Sequence, residues 1–422
     1  MTAQTGSYFS RDAQPAPALP SRPTPPPVAA TLPRPAPAPA ATATPTVERV
    51  SSEQAHTPGE GITLDAMLTW VHRNDASDLH LAADAPPRVR LHGDLIDMPG
   101  YGPIASRHLE AMLYTIMDER RRRVFEEHHD MDLAHALGDK ARFRVNIFRH
   151  RRKIGAVMRL IPTKVRTAEE MDLPDSIQKL AGLTRGLVLV CGPTGSGKST
   201  LLASLVDLAN RTRKAHIVTI EDPIEFTHQS QLSVVSQREV GDDTDSFASG
   251  LRAVLRQDPD IILVGEMRDL ETVRAALEAA DTGHLVFGTL HSKSAHETVS
   301  RLVNMFPDEV QNQIQQNLGA ALEAVIVQAL VKTKDGRGRV PAREVMLMEH
   351  GLRSQIRSGK LEQIKSALQT GAQAGMHTMD TDLVRLVVAD KISYDDALAM
   401  AHDQTEFTSR CRRNGVTTGR QS

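Results

Sequence analysis

The 422-residue chain is short of several things, and each shortage removes a class of protein. Its two cysteines, Cys191 and Cys411, cannot supply a disulfide framework or a four-cysteine zinc site within one chain. Aromatic residues make up only 3%, too few for the stacking platforms that bind single-stranded nucleic acid. No apolar run approaches the about 18 residues needed to cross a bilayer. The start lacks the basic-then-apolar pattern of a secretory leader, so the cytoplasm is the expected compartment. Neither charge sign dominates: 50 basic residues face 52 acidic ones, for a net charge of -2. A protein whose main task is neutralising nucleic-acid phosphates needs a basic excess. What the chain does have is 40% hydrophobic residues, enough for the cores of roughly two or three domains.

Proline is unevenly placed, with 13 of the 24 before residue 60, interleaved with Ala, Thr and Ser. Such a segment buries too little apolar surface to offset its ordering entropy, so residues 1–60 read as a disordered, partly polyproline II arm. Folded sequence is expected from Gly61. Thr63 is a candidate N-cap, and Leu64, Met67, Leu68 and Val71 recur at helical spacing behind it. Strand-like pieces Asp78 to Leu81 and Arg88 to Leu91 follow, with a turn at Gly93-Asp94. The next helix has a face of Leu109, Met112, Leu113 and Ile116. A hairpin turns at Gly138-Asp139, and its second strand alternates Ala141, Phe143, Val145 and Ile147 with Arg142, Arg144 and Asn146. The run Arg120 to Arg123 reads as surface charge at the end of a helix. Residues 61–163 therefore read as a small α+β domain.

From 164 to 350 the texture is α/β. Solid apolar strands are expected at Leu187 to Cys191, His216 to Ile220, Ile261 to Val264 and Leu285 to Leu290, alternating with helices as in a parallel sheet covered on both faces. Residues 351–422 read as a helical region ending in a tail that frays from Arg410.

One string carries specific chemistry. Gly192-Pro193-Thr194-Gly195-Ser196-Gly197-Lys198-Ser199, followed by Thr200, matches the phosphate-loop pattern between a strand and a helix. Glycines let backbone N–H groups close around a β-phosphate, Lys198 reaches the β- and γ-phosphates, and Ser199 offers a hydroxyl to Mg²⁺. ATP and Mg²⁺ are thus the expected ligands. Glu266 ends the strand from Ile261, at the edge where such sheets bind ligands, and Glu225 lies on a second acidic edge after His216 to Ile220. Hydrolysis uses one carboxylate to orient water and another to hold hydrated magnesium; Glu266 and Ser199 are the expected metal-facing groups, partly through water. His284 and His291 bracket the strand Leu285 to Leu290 and are either ordinary polar residues or γ-phosphate sensors. Arg142, Arg144 and Arg159 are either a solvated strand face or arginine fingers delivered across a subunit boundary.

Together, SDLHL (77–81), ARFRVN (141–146), GPTGSGKST (192–200), TIEDPIEF (219–226), QREVG (237–241), LRQDPDIILVGEMRDLET (255–272) and TGHLVFGTLH (282–291) resemble the PilT-type ATPases of bacterial type IV pili, a branch of the secretion and traffic ATPases. The resemblance implies a PAS-like N-terminal domain, a RecA-like P-loop ATPase domain and a homo-hexamer with nucleotide between neighbours. It places Lys198 and Ser199 at the Walker A positions and Glu266 at the Walker B glutamate. Glu225 then falls in the aspartate box, His284 and His291 in the histidine box, and Arg142, Arg144 and Arg159 among the arginines presented to ATP. It implies a motor that turns an inner-membrane platform protein to retract the pilus, placed at the cytoplasmic side of that membrane; the near-neutral charge speaks against a nucleic-acid partner, and two cysteines cannot supply the zinc module of assembly-type relatives. The C-terminal motif of retraction members has its counterpart in Gly351 to Ser358, which keeps both arginines and the isoleucine but loses an asparagine and a glutamate. The competing readings are an accessory ATPase working beside a second retraction ATPase, a related secretion-system ATPase, a nucleic-acid translocase and a non-hydrolysing ring.

Overall fold

The computed structural model describes residues 62–416 apart from 92, 139 and 162–164. The expected arm, Asp139 of the hairpin turn and the end of the tail lie outside those residues. The first elements are α1 (Leu64–Arg73), β1 (Asp78–Ala82), β2 (Arg88–Leu91), β3 (Asp94–Asp97), α2 (Ser106–Thr115), α3 (Glu119–His128), β4 (Asp130–Leu137), β5 (Ala141–His150) and β6 (Lys153–Ile161). They build an antiparallel sheet of order β3-β2-β1-β6-β5-β4. The Thr63 hydroxyl accepts from the Ala66 N–H at 3.2 Å, as an N-cap does, and Leu64, Met67, Leu68 and Val71 are buried. Each such side chain contributes roughly 1.5–3 kcal/mol by leaving water.

The run Arg120 to Arg123 sits differently from expectation. Asp118 accepts from the Arg121 N–H at 2.7 Å and starts α3, so these arginines occupy the beginning of a helix and not its end. Their charge is answered locally instead: Arg121 pairs with Asp242, and Arg122 donates to the Tyr114 carbonyl and lies over the Tyr114 ring.

The larger sheet follows from α4 (Asp175–Gln178), β7 (Gly186–Cys191), α5 (Lys198–Thr212), β8 (His216–Glu221), β9 (Val234–Glu239), α6 (Phe247–Val254), β10 (Ile261–Val264), α7 (Leu270–Asp281), β11 (Leu285–Leu290), α8 (Ala295–Asn304), α9 (Asp308–Ala321), β12 (Leu322–Lys332) and β13 (Arg339–Leu347). Its order is β13-β12-β7-β11-β10-β8-β9, parallel except for β13, so the expected parallel sheet is a mixed one. The long apolar run of β12 follows α9 directly and turns back through Gly336, at φ +71°, into β13. That antiparallel return has no counterpart in a strict strand-helix alternation.

Alternate residues of the buried strands serve two cores, as period-2 geometry requires. Val188 and Val190 pack with Leu201, Leu202 and Leu205 of α5. Leu187, Leu189 and Cys191 face the layer holding Leu251 of α6, Val273 of α7 and Leu302 of α8. Both faces of the sheet are thereby covered, and the ends of its parallel strands are left to carry polar chemistry.

The C-terminal helices are α10 (His350–Arg357), α11 (Ile364–Thr370), α12 (Met379–Val388), α13 (Tyr394–Met400) and α14 (Gln404–Arg413). Arg353, in the stretch corresponding to the retraction motif, donates to the Ala320 and Leu322 carbonyls at 3.0 Å and pairs with Glu323 at 2.7 Å, closing the end of α9. Fraying is expected from Arg410, but Arg410 lies within α14. Phe407 and Cys411 bury one face of α14, and Arg410 is tied to Glu406 and Thr381.

Candidate active site

A cleft of 1110 Å³ opens where the C-terminal ends of the parallel strands meet β4, β5 and α3 of the smaller sheet. Its floor is the turn from β7 to α5. Gly192, Gly195 and Gly197 have φ of +140°, +77° and +83°, a backbone path that only glycine adopts without strain. At Gly192 a side chain is also excluded by space, because a Cβ there would lie 2.2 Å from the Gln328 carbonyl oxygen. Thr194, Gly195, Gly197, Lys198, Ser199 and Thr200 line the cleft. Ser196 is buried beneath it, and its hydroxyl has no hydrogen-bond partner. The Lys198 ammonium is held by the Gly192 and Pro193 carbonyls at 2.9 and 3.1 Å. Burial lowers its pKa, against the opposing pull of Glu266, Cys191 and Glu225.

Glu266 stands just past the end of β10. Its Oε1 lies 3.0 Å from His291 Nε2, and its Oε2 accepts from Arg268 at 2.6 Å. Burial works to raise this carboxyl's pKa, but Arg268, His291 and Lys198 outweigh it and hold the group below its ordinary value. It is therefore a fixed anion facing the loop lysine. Glu225 also lines the cleft, and its N–H points to Glu221 Oε2 at 3.4 Å.

The two histidines separate. His291 lies in the cleft, whereas His284 precedes the first residue of β11 and bonds to Ala279 and Thr282 at the opposite edge of the sheet. A strand of that length puts them about 20 Å apart. The arginines separate as well. Arg144 lines the cleft, and its side chain has no hydrogen-bond or ion-pair partner among the described residues. Arg142, two residues away on the same strand face, reaches Glu239 at the end of β9 at 2.5 Å. Arg159 pairs with buried Asp78 at 2.8 Å and lies outside the cleft lining.

The type II/IV secretion system protein family matches residues 54–420. The chain belongs to that family. It is 48% identical over 343 residues to the type IV pilus retraction ATPase PilT of Pseudomonas aeruginosa, covering 81% of this chain and 98% of that protein. To the type IV pilus ATPase PilU of the same organism it is 38% identical, covering 81% and 90%. A crystal structure of the pilus retraction motor PilT with bound ADP superposes with a TM-score of 0.77 at 40% identity, over 82% of this chain and 99% of that one. The ATPase DotB of Legionella pneumophila gives 0.72 at 30% identity, over 81% and 96%.

Beyond the residues given individual roles from the sequence, several others complete this secretion-family cleft. Glu221 is the half-buried carboxylate that opens the second acidic edge, and it lines the cleft. It accepts from Thr219 and from Gln237 at 2.8 and 3.1 Å, and burial raises its pKa despite these bonds. Arg268, two residues after Glu266, could have been found as the nearest cation following the strand. Glu239 and Gln328 had no local signal, since their roles depend on pairings 97 and 132 residues away in sequence.

Proposed function

We propose that the protein is the ATP-hydrolysing motor of type IV pilus retraction. The observation that carries this reading is the joint one: 48% identity along nearly all of a retraction ATPase, with a complete phosphate loop facing Glu266 in one cleft. The higher identity to PilT than to PilU favours the principal motor over the accessory one.

In this reading the Lys198 ammonium exchanges its two carbonyl partners for the β- and γ-phosphates. Glu266 is ionised and locked between Arg268 and His291, which suits it to orient the attacking water and receive its proton as charge develops. Glu221, pushed toward the neutral form, and Glu225 stand on the facing edge, where the second carboxylate of such a site belongs. Arg144, unpaired in the cleft, matches the spread charge of a transferring phosphoryl group. Arg142 and Arg159 act by holding Glu239 and Asp78.

The donors at the loop are hard oxygens, as Mg²⁺ requires: the Ser199 hydroxyl would hold it directly, and Glu266 through water, because both carboxylate oxygens already face partners. When bound, the ion supplies neutralisation of charge on the β- and γ-phosphates. The finer architecture we infer is a PAS-like unit over 61–163, a RecA-like unit over 164–350 and helices over 351–422. Six copies would form a ring at an inner-membrane platform protein, at the cytoplasmic face. Purified protein should hydrolyse ATP without DNA; turnover that appears only with DNA would favour a translocase and sink the reading.

A further inference from the structure

Beneath the phosphate loop lies a buried polar pair that the hydrolytic groups do not use. Gln328 of β12 and Arg343 of β13 are directly opposed in the antiparallel ladder, and both are buried, at 1% and 6% exposure. The Arg343 Nε–H donates to Gln328 Oε1 at 2.8 Å, and Gln328 Nε2 donates to the Ser196 carbonyl at 2.8 Å. These two bonds define each other. Guanidinium has no acceptor, so Arg343 forces the oxygen end of the amide toward itself and the N–H₂ end toward the loop. Arg343 is fixed in turn, since its backbone N–H donates to Asp382 of α12 at 2.8 Å.

In a trans peptide the carbonyl and the next N–H point in opposite directions. Pinning the Ser196 carbonyl below the loop therefore aims the Gly197 N–H away from the sheet, and Gly197 lines the cleft. The fit allows no slack: Gln328 Nε2 lies 3.0 Å from where a Cβ on Gly197 would sit, and its backbone oxygen bars a Cβ at Gly192. We propose that Gln328, with its amide polarity set by Arg343, is a positioning residue that orients the Ser196–Gly197 peptide of the loop toward bound phosphate. The inference rests on the reading of this cleft as a nucleotide site.

Gln328→Glu tests it with shape preserved. The carboxylate keeps the Arg343 partner but turns an acceptor against the Ser196 carbonyl. ADP binding to the full chain should weaken at least tenfold, and the KM for ATP should rise more than kcat falls, at an unchanged melting temperature. ADP affinity within twofold of the parent at that melting temperature would overturn the proposal. Should Q328E melt early, the double variant Q328M/R343M, which removes the buried pair together and takes away only the donor to the Ser196 carbonyl, decides: a tenfold loss of ADP affinity supports the role and parental affinity overturns it. A parent chain that binds no ADP would instead remove the nucleotide-site reading itself.

Discussion

Replacing Arg142 with alanine separates a structural arginine from a catalytic one. Glu239 is only 6% exposed at its side chain, and it accepts from Arg142 at 2.5 Å and from the Ile224 N–H at 3.2 Å. Removing one partner of a buried ion pair costs about 3–5 kcal/mol. Arg142 is 27% exposed, so solvent screens part of its charge and Glu239 keeps one bond; about 1–3 kcal/mol is the expected loss. The pH dependence follows from sign. Burial already raises the pKa of Glu239, and Arg142 pulls the other way. Without the arginine the folded-state value climbs further above the unfolded one, so the fold loses stability as pH rises through the carboxyl range. The R142A deficit should be full near pH 7.5 and shrink toward about pH 4. Chemical denaturation at several pH values measures this, and in a Glu239→Gln background the cost of R142A should fall. A parental unfolding midpoint throughout, combined with lost ATP turnover, would rule out a structural role and return Arg142 to the chemistry of the cleft.

Gly192→Ala must push its methyl into the Gln328 carbonyl from a positive φ, and about 3 kcal/mol or more of stability, with nucleotide binding, should be lost on denaturation and ADP titration. His291→Ala should lower turnover about tenfold or more by freeing Glu266, while His284→Ala should leave it within about twofold; steady-state hydrolysis distinguishes them. Arg144→Ala should cut kcat by about a thousandfold with ADP affinity retained. Arg159→Ala, which strips buried Asp78 of its cation, should act on the melting temperature instead.

How far the sequence reaches is clearest from pairs of similar residues. Lys198 and Glu266 were readable because each closes a local pattern: a glycine loop between strand and helix, and a carboxylate ending an apolar strand. His284 and His291 look equivalent in the string, yet a parallel sheet offers chemistry at one edge only, so the first is left about 20 Å from the site. Arg142 and Arg144 share a strand face as the alternation implies, but two positions along β5 separate a contact with Glu239 from a place in the cleft. Arg159 opposes Arg144 across the ladder and is claimed by Asp78. Such outcomes depend on what a distant strand presents. The same is true of the pairing of β12 with β7, which puts Gln328 under a loop 132 residues earlier.

In the proposed motor, hydrolysis at Glu266 drives pilus retraction. The most direct measurement is twitching motility and surface piliation in cells whose only copy of this protein carries Glu266→Gln, with its abundance and ADP binding at parental levels. Heavily piliated, non-twitching cells are the predicted result. Parental twitching with ordinary piliation would contradict it.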